Sequence, residues 1–327
     1  MRALVTGSSG HLGEALVRVL RADGHGVVGL DIVSSSFTDV VGSISDPACV
    51  RDVMPGTNVV FHAATLHKPH VVTHSRQQFV DTNVSGTLTL LEESVRVGVR
   101  GFVFTSSTSA FGDALRPPAG RPAAWITEDI VPEPKNIYGV TKVAAESLVR
   151  LFHRKYGLDC VVLRTSRFFP DEDDDPEMRR EYVDANIKTN EFLFRRADIE
   201  DVVTAHLLAA AKAASIGFGC FIVSATTPFS PSDASSLRHD AAALVQRYVP
   251  RHRDVYERLG WRMFPSVDRV YDNSRARAVL GWTPRRDFAY IVDCLRDGRD
   301  FRSELARAVG VKLYHETIFA HGPYPVE

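Results

Sequence analysis

The chain has 327 residues, a length that suits about two folding units or one large domain with an appendage. Hydrophobic residues make up 44% and charged residues 24%, which excludes a disordered or fibrous chain. With 39 Lys plus Arg against 40 Asp plus Glu the net charge is −1, so no global field attracts nucleic acid or an anionic membrane.

In chain order, residues 3–6 are a short apolar run that predicts a strand. Leu12, Ala15, Leu16, Val19 and Leu20 then recur at helical spacing, so a helix packed on a sheet is predicted after the intervening glycines. Further strands are predicted over 26–33, 59–62, 101–106 and 160–163, with helices over 46–54, 76–97 and 137–156. Strands apolar on both faces that alternate with helices predict a parallel sheet covered on both sides. Beyond about Arg167 the pattern loosens. An acidic run, Asp171 to Asp175, reads as a solvated loop and precedes an arginine-bearing helical segment. Pro- and Ser-rich connections over 226–236 and short helices over 240–248 and 274–280 follow. This part is expected to form a smaller lobe over the carboxyl ends of the sheet. The last stretch, 312–327, is aromatic and contains proline, and no role for it is legible.

Cys49, Cys160, Cys220 and Cys294 form no CxxC pair, which fits reduced thiols rather than a disulfide framework. The most apolar stretch, 207–225, is broken by Lys212 and several glycines and predicts no membrane span. The start of the chain turns glycine-rich too soon for a signal peptide, so a soluble, cytoplasmic protein is expected.

The segment Thr6-Gly7-Ser8-Ser9-Gly10-His11-Leu12-Gly13 places three glycines between a strand and a helix. Backbone N–H groups and the positive helix end can face a pyrophosphate there. Asp31 ends the next predicted strand 18 residues after Gly13, close to the spacing of a ribose-binding acid. A carboxylate there accepts from ribose hydroxyls and repels a 2′-phosphate. Ile32 follows and no arginine stands nearby in the sequence, so NAD is favoured over NADP.

Tyr138 and Lys142 lie at i and i+4 on one face of the predicted 137–156 helix. A free phenol, with a pKa near ~10, is a poor base at neutral pH. An adjacent ammonium is expected to lower that value and make Tyr138 a general base. The hydroxyl-rich turn Thr105-Ser106-Ser107-Thr108-Ser109 can supply a hydrogen bond to the same substrate oxygen. His62, His67, His70 and His74 crowd one segment, but no carboxylate or Cys completes a ligand set, and no metal is expected.

In combination these residues resemble the extended short-chain dehydrogenases/reductases, the NAD-dependent sugar epimerase/dehydratase group. The likeness runs through the glycine loop, Asp31, His62-Ala63-Ala64, Asn83-Val84-Ser85-Gly86-Thr87, the Ser107–Gly112 turn, Tyr138…Lys142, Leu163-Arg164, Asp198 to Val202 and Leu280 to Pro284. The resemblance implies an α/β fold: a Rossmann-type doubly wound parallel sheet with a smaller C-terminal substrate-binding lobe. It implies residues 1–167 for the NAD-binding domain, joined by some later segments, and 168–327 mainly for the lobe. It selects Ser107 as the catalytic hydroxyl beside Tyr138 and Lys142. It also implies that Gly7, Gly10, His11, Leu12, Gly13, Asp31, Ala63, Ala64, Thr65, Thr82 and Ser166 line the NAD site, with His67 or Lys68 near the cofactor ribose. A homodimer built through the 76–97 and 137–156 helices is implied as well.

Three departures shape the expected function. Dehydrating relatives carry Asp-Glu directly after the catalytic hydroxyl; here Thr108 and Ser109 stand there as substrate contacts, and the acid–base pair for eliminating water is missing. Relatives place asparagine where this chain has Arg167, whose fork suits a diphosphate, a sugar carboxylate or an internal acid of the 171–175 run. Ser43-Ile44 replaces an adenine-contacting acid. The reading is an NAD-dependent epimerase of a sugar nucleotide, of the 4-epimerase type, in carbohydrate metabolism. The alternatives are an NAD-dependent dehydrogenase of a sugar or sugar acid and, further off, a non-catalytic NAD-binding sensor.

Overall fold

The computed structural model describes residues 1–312 together with Phe319, Gly322 and Tyr324. The 312–327 stretch otherwise lies outside the described residues. The strands are β1 (Arg2–Thr6), β2 (Gly26–Asp31), β3 (Val40–Val41), β4 (Val59–His62), β5 (Gly101–Ser107), β6 (Ala124–Ile126), β7 (Cys160–Thr165), β8 (Phe218–Val223) and β9 (Arg269–Tyr271). Seven form one sheet in the order β3-β2-β1-β4-β5-β7-β8, and every pairing in it is parallel. The chain runs outward from β1 to β2 and β3, then returns to continue on the other side through β4. That reversal leaves a crevice beyond the carboxyl ends of β1 and β4, where open α/β sheets bind ligands.

Alternation along the strands sorts the core. Ala3, Val5, Phe61, Val103, Val161 and Leu163 pack on one face beneath α1 (His11–Ala22), while Leu4, Val60, Phe102, Phe104 and Val162 pack on the other. That second face is covered by α2 (Pro47–Val53), by α3 (Arg76–Phe79) running through a π-helical turn at Val80–Ser85 into α4 (Gly86–Val97), and by α5 (Ile137–Tyr156). The helix predicted over 76–97 is thus continuous, with the π-turn in its first half. On α5, Asn136 caps the start by accepting from the Gly139 N–H at 3.1 Å, and Gly157 ends it at φ +68°.

Two later helices, α6 (Pro176–Glu181) and α7 (Asp184–Glu191), precede α8 (Ile199–Ile216), which joins α1 on the first face. The strand β8 follows at the sheet edge. The 207–225 run reads in sequence as one apolar stretch, but it holds the end of a helix and a whole strand. Gly217, at φ +69°, makes the break between them. A second core gathers Ile187, Leu193, Leu237, Val245, Phe264, Phe288 and Ile291. It lies beside the two-stranded β6–β9 sheet. No helix among the described residues is long and apolar enough to cross a membrane.

Candidate active site

The crevice is built from the loops after β1 and β4. Gly7 adopts φ +73°, and a Cβ on it would lie 2.7 Å from the Ala64 nitrogen. At Gly13 a Cβ would lie 1.8 Å from the Gly7 oxygen. Only glycine lets the turn approach both the β4 loop and the first turn of α1. Gly10 is the N-cap of α1 and offers no side-chain oxygen, so the first-turn N–H groups and the positive end of the helix are left for an anion such as a diphosphate. Asp31 stands at the end of β2, its two oxygens accepting from Ser9 N and Val33 N at 2.9 Å each. These contacts hold the carboxylate beside the glycine loop. The cradle fits a dinucleotide.

These loops line a cavity of about 1260 Å³, above the roughly 300–1,000 Å³ of a single-ligand pocket. Gly7, Gly10, His11, Leu12, Gly13, Asp31, Ala63, Ala64, Thr65, His67, Thr82, Ser107, Thr108, Ser109, Tyr138, Ser166 and Arg167 all line it. Lys142 lies behind this wall and is 2% exposed. Asn83, on the π-turn, holds the β4 loop: its amide oxygen accepts from Leu66 N at 2.8 Å and Thr65 Oγ1 at 2.9 Å. Its amide nitrogen donates to Leu66 O at 2.8 Å and to Thr141 Oγ1 at 3.0 Å, which ties that loop to α5.

Ser107 ends β5 and caps the following turn by accepting from Ser109 N at 3.1 Å. Its hydroxyl and the Tyr138 phenol share the same cavity wall. Burial pushes the Tyr138 pKa up to about 12, and the neighbouring Ser107 hydroxyl opposes that rise. The Lys142 ammonium donates to the Thr105 carbonyl at 2.6 Å and sits 4.2 Å from the centroid of the Phe104 ring. Burial brings its own pKa down to about 7, with the Glu146 carboxylate holding it up.

Of the three partners weighed for Arg167, the structure supplies the internal one. The guanidinium pairs with Asp173, with Asp174 at 2.8 Å and with Glu191 at 2.9 Å. The acidic run is therefore corrected: Asp173 and Asp174 are buried, with Asp174 also paired to Lys68, and the run is not a solvated loop throughout. His67, His70 and His74 stack edge to face at 4.8 and 4.9 Å, and His67 lies 5.7 Å from Phe169. Phe169 also meets His11 at 5.3 Å, across the cleft from the glycine loop. Burial first, and then the charge of Lys312, lowers the His11 pKa to about 4. Lys312 donates its backbone N–H to His11 Nε2 at 3.2 Å and pairs with Glu14.

Several residues were not singled out by sequence. Arg195 and Arg269 line the cavity, and each has a buried Nε with no hydrogen-bond partner among the described residues. Glu146 and His206 lie beneath it. Glu146 carries one local signal, its position four residues after Lys142 on the same helical stripe.

The NAD dependent epimerase/dehydratase family matches residues 3–223. A UDP-glucose 4-epimerase of Mycolicibacterium smegmatis is 29% identical over 320 residues, covering 87% of this chain and 94% of that protein. Against several other curated relatives the chain spans only about half their length or less. Among solved structures, a short-chain dehydrogenase/reductase superfamily protein of Agrobacterium tumefaciens with bound NAD is 26% identical, with a TM-score of 0.64 over 94% of this chain and 99% of that one. The UDP-glucose 4-epimerase of Thermotoga maritima with UDP-glucose shares the fold at 24% identity and a TM-score of 0.61, over 91% of this chain and 99% of that one.

Proposed function

The chain belongs to the NAD-dependent epimerase/dehydratase family, and from that premise we propose that it is a sugar-nucleotide epimerase of the 4-epimerase type. The observation that carries this reading is the Ser107–Tyr138 pair at the cavity wall, followed by Thr108 and Ser109 instead of an acid–base pair for elimination. Tyr138 takes the proton of a sugar hydroxyl at its phenolic oxygen, and later returns it. Ser107 donates to the same oxygen and orients it, while Thr108 and Ser109 hold neighbouring hydroxyls. NAD, when bound, supplies hydride transfer to and from the sugar carbon. Asp31 would hold its adenosine ribose, and the Gly7–Gly13 loop with α1 its diphosphate. Ala63, Ala64, Thr65, His67, Thr82 and Ser166 would flank the rest, with Lys142 beneath the reacting end.

A dehydrogenase of sugar acids was suggested by Arg167 as a carboxylate reader. With that guanidinium matched by three internal acids, the suggestion loses its support. Arg195 and Arg269 are also paired internally, with Glu191 at 2.8 Å and Asp268 at 2.8 Å, but each keeps a buried Nε without a partner among the described residues at the cavity wall, and that donor suits an oxygen of a sugar-nucleotide diphosphate. In this reading residues 1–167 carry the cofactor, most of 168–327 carries the substrate, and the enzyme works in the cytoplasm as a homodimer.

The test is a panel of UDP- and dTDP-hexoses with the purified protein. An epimeric product with no net reduced cofactor supports the proposal, and Tyr138→Phe should cut turnover by about 10²–10⁴-fold while leaving NAD binding intact. Stoichiometric reduced cofactor would make it a dehydrogenase.

A further inference from the structure

The end of β5 is anchored from both faces of the sheet just before it delivers Ser107. Thr105 turns its hydroxyl toward α8, where it meets His206 Nε2 at 2.9 Å. The other ring nitrogen, Nδ1, lies 2.8 Å from Val202 O and donates to it, so Nε2 is the acceptor for Thr105. Ser106 turns the opposite way and donates to Glu146 on α5 at 2.5 Å. Glu146 is one turn beyond Lys142, and its carboxylate also takes Arg164 Nε at 3.1 Å and Nη2 at 2.8 Å. The Thr105 carbonyl is the acceptor for the Lys142 ammonium.

We propose that Glu146 and His206 are positioning residues of the reaction: Glu146 sets the charge beside Lys142 and fixes the strand end through Ser106, and His206 fixes Thr105, whose carbonyl seats the ammonium. The inference rests on the proposed roles of Tyr138 and Lys142. Both groups are buried, Glu146 at 9% and His206 at 0% exposure, and neither lines the cavity, so they act through other residues.

The groups around Lys142 leave Glu146 as its anionic partner. From β4, His62 faces it with both ring nitrogens engaged, by Thr6 Oγ1 and Thr87 Oγ1 at 2.9 Å each. Burial and the Lys142 charge keep that imidazole neutral. From β5 come the Phe104 ring and the Thr105 carbonyl. On α5 itself are Tyr138 and Glu146. Arg164, from β7, faces Glu146 and has Glu128 and Cys220 around it. Burial lowers the His206 pKa to about 4, so its contribution near neutral pH is geometric and not electrostatic.

The two roles separate by pH. Glu146→Gln removes a negative charge, so both the Lys142 ammonium and the Tyr138 phenol should lose their protons at lower pH. Both limbs of the pH profile for kcat/KM should move to acid by about one unit. His206→Leu should lower kcat about ten- to a hundredfold with the profile and KM unmoved. A second readout needs no turnover. In the cofactor-free protein, the pH at which the melting temperature begins to rise through Lys142 should move to acid in Glu146→Gln. Should Glu146→Gln not fold, because Arg164 loses its partner, the E146Q/R164M variant removes both charges and should keep a smaller acid shift. A profile and a melting curve that superimpose on those of the parent overturn the inference for Glu146. Unchanged kcat in His206→Leu overturns it for His206. An active Tyr138→Phe is a different result, and it overturns the proposed function itself.

Discussion

A phenol whose pKa stands at about 12 is not a base near neutral pH, so the base role proposed for Tyr138 requires help from the residues around it. Lys142 is the group to test, because its charge is itself costly: burial holds its pKa at about 7 against 10.5 for a free lysine. Between those values the unfolded chain binds the extra proton and the folded chain does not. Stability from this residue therefore rises with pH across that window, and is lowest below it, where the buried ammonium is charged. The melting temperature of the cofactor-free protein minus that of Lys142→Met should climb between pH 7 and pH 9; a flat difference would place the ammonium in a solvated site. Asp31 gives a second prediction. Asp31→Ala should weaken NAD on the order of tenfold or more and NADP far less, read by titration with both cofactors. The glycine loop, Asp31, Tyr138 and Lys142 were legible because their spacing along the chain encodes their geometry. Glu146 and His206 were not, because what defines each is a partner brought in by the sheet, 40 residues away for Ser106–Glu146 and 101 for Thr105–His206.

At the scale of elements, periodicity located the strands and helices that alternate simply, such as β4 and α5. It failed where polar residues are sparse. The α8 helix packs on the sheet, on α1 and on the 280–286 loop, and its exposed positions near the end include Ala211 and Ala214, so its apolar run merges into β8. Trp282 secures that loop: it is 1% exposed, and its indole N–H donates to Asp201 O at 3.0 Å and Thr204 Oγ1 at 3.2 Å. The Asp201 carboxylate accepts Arg285 N at 2.9 Å and Arg286 N at 3.0 Å. Trp282→Ala should cost about 3–5 kcal/mol in denaturant unfolding, since it removes both a large buried ring and this tether. A loss below about 1 kcal/mol would mean that the loop is held elsewhere.

For the whole molecule, the sheet and its cleft would let one chain hold a cofactor and a substrate together, and the proposed homodimer calls for an outer face to meet a second copy. On α5, Val140 and Leu151 are 48% and 40% exposed on one side, while Lys142, Ala145 and Val149 face the sheet. Sedimentation should give twice the chain mass, and Leu151→Arg should give the single chain. A monomeric parent protein would remove this face from the account. The central claim is transient oxidation at one sugar carbon, and isotope transfer tests it most directly. A UDP-hexose carrying deuterium at C4 is incubated with the protein and NAD, and its product is analysed by mass and by position of the label. The account predicts an epimer that keeps the deuterium at C4, with no reduced cofactor accumulating. Deuterium lost from the sugar, together with an oxidised product and reduced cofactor in equal amount, would contradict it.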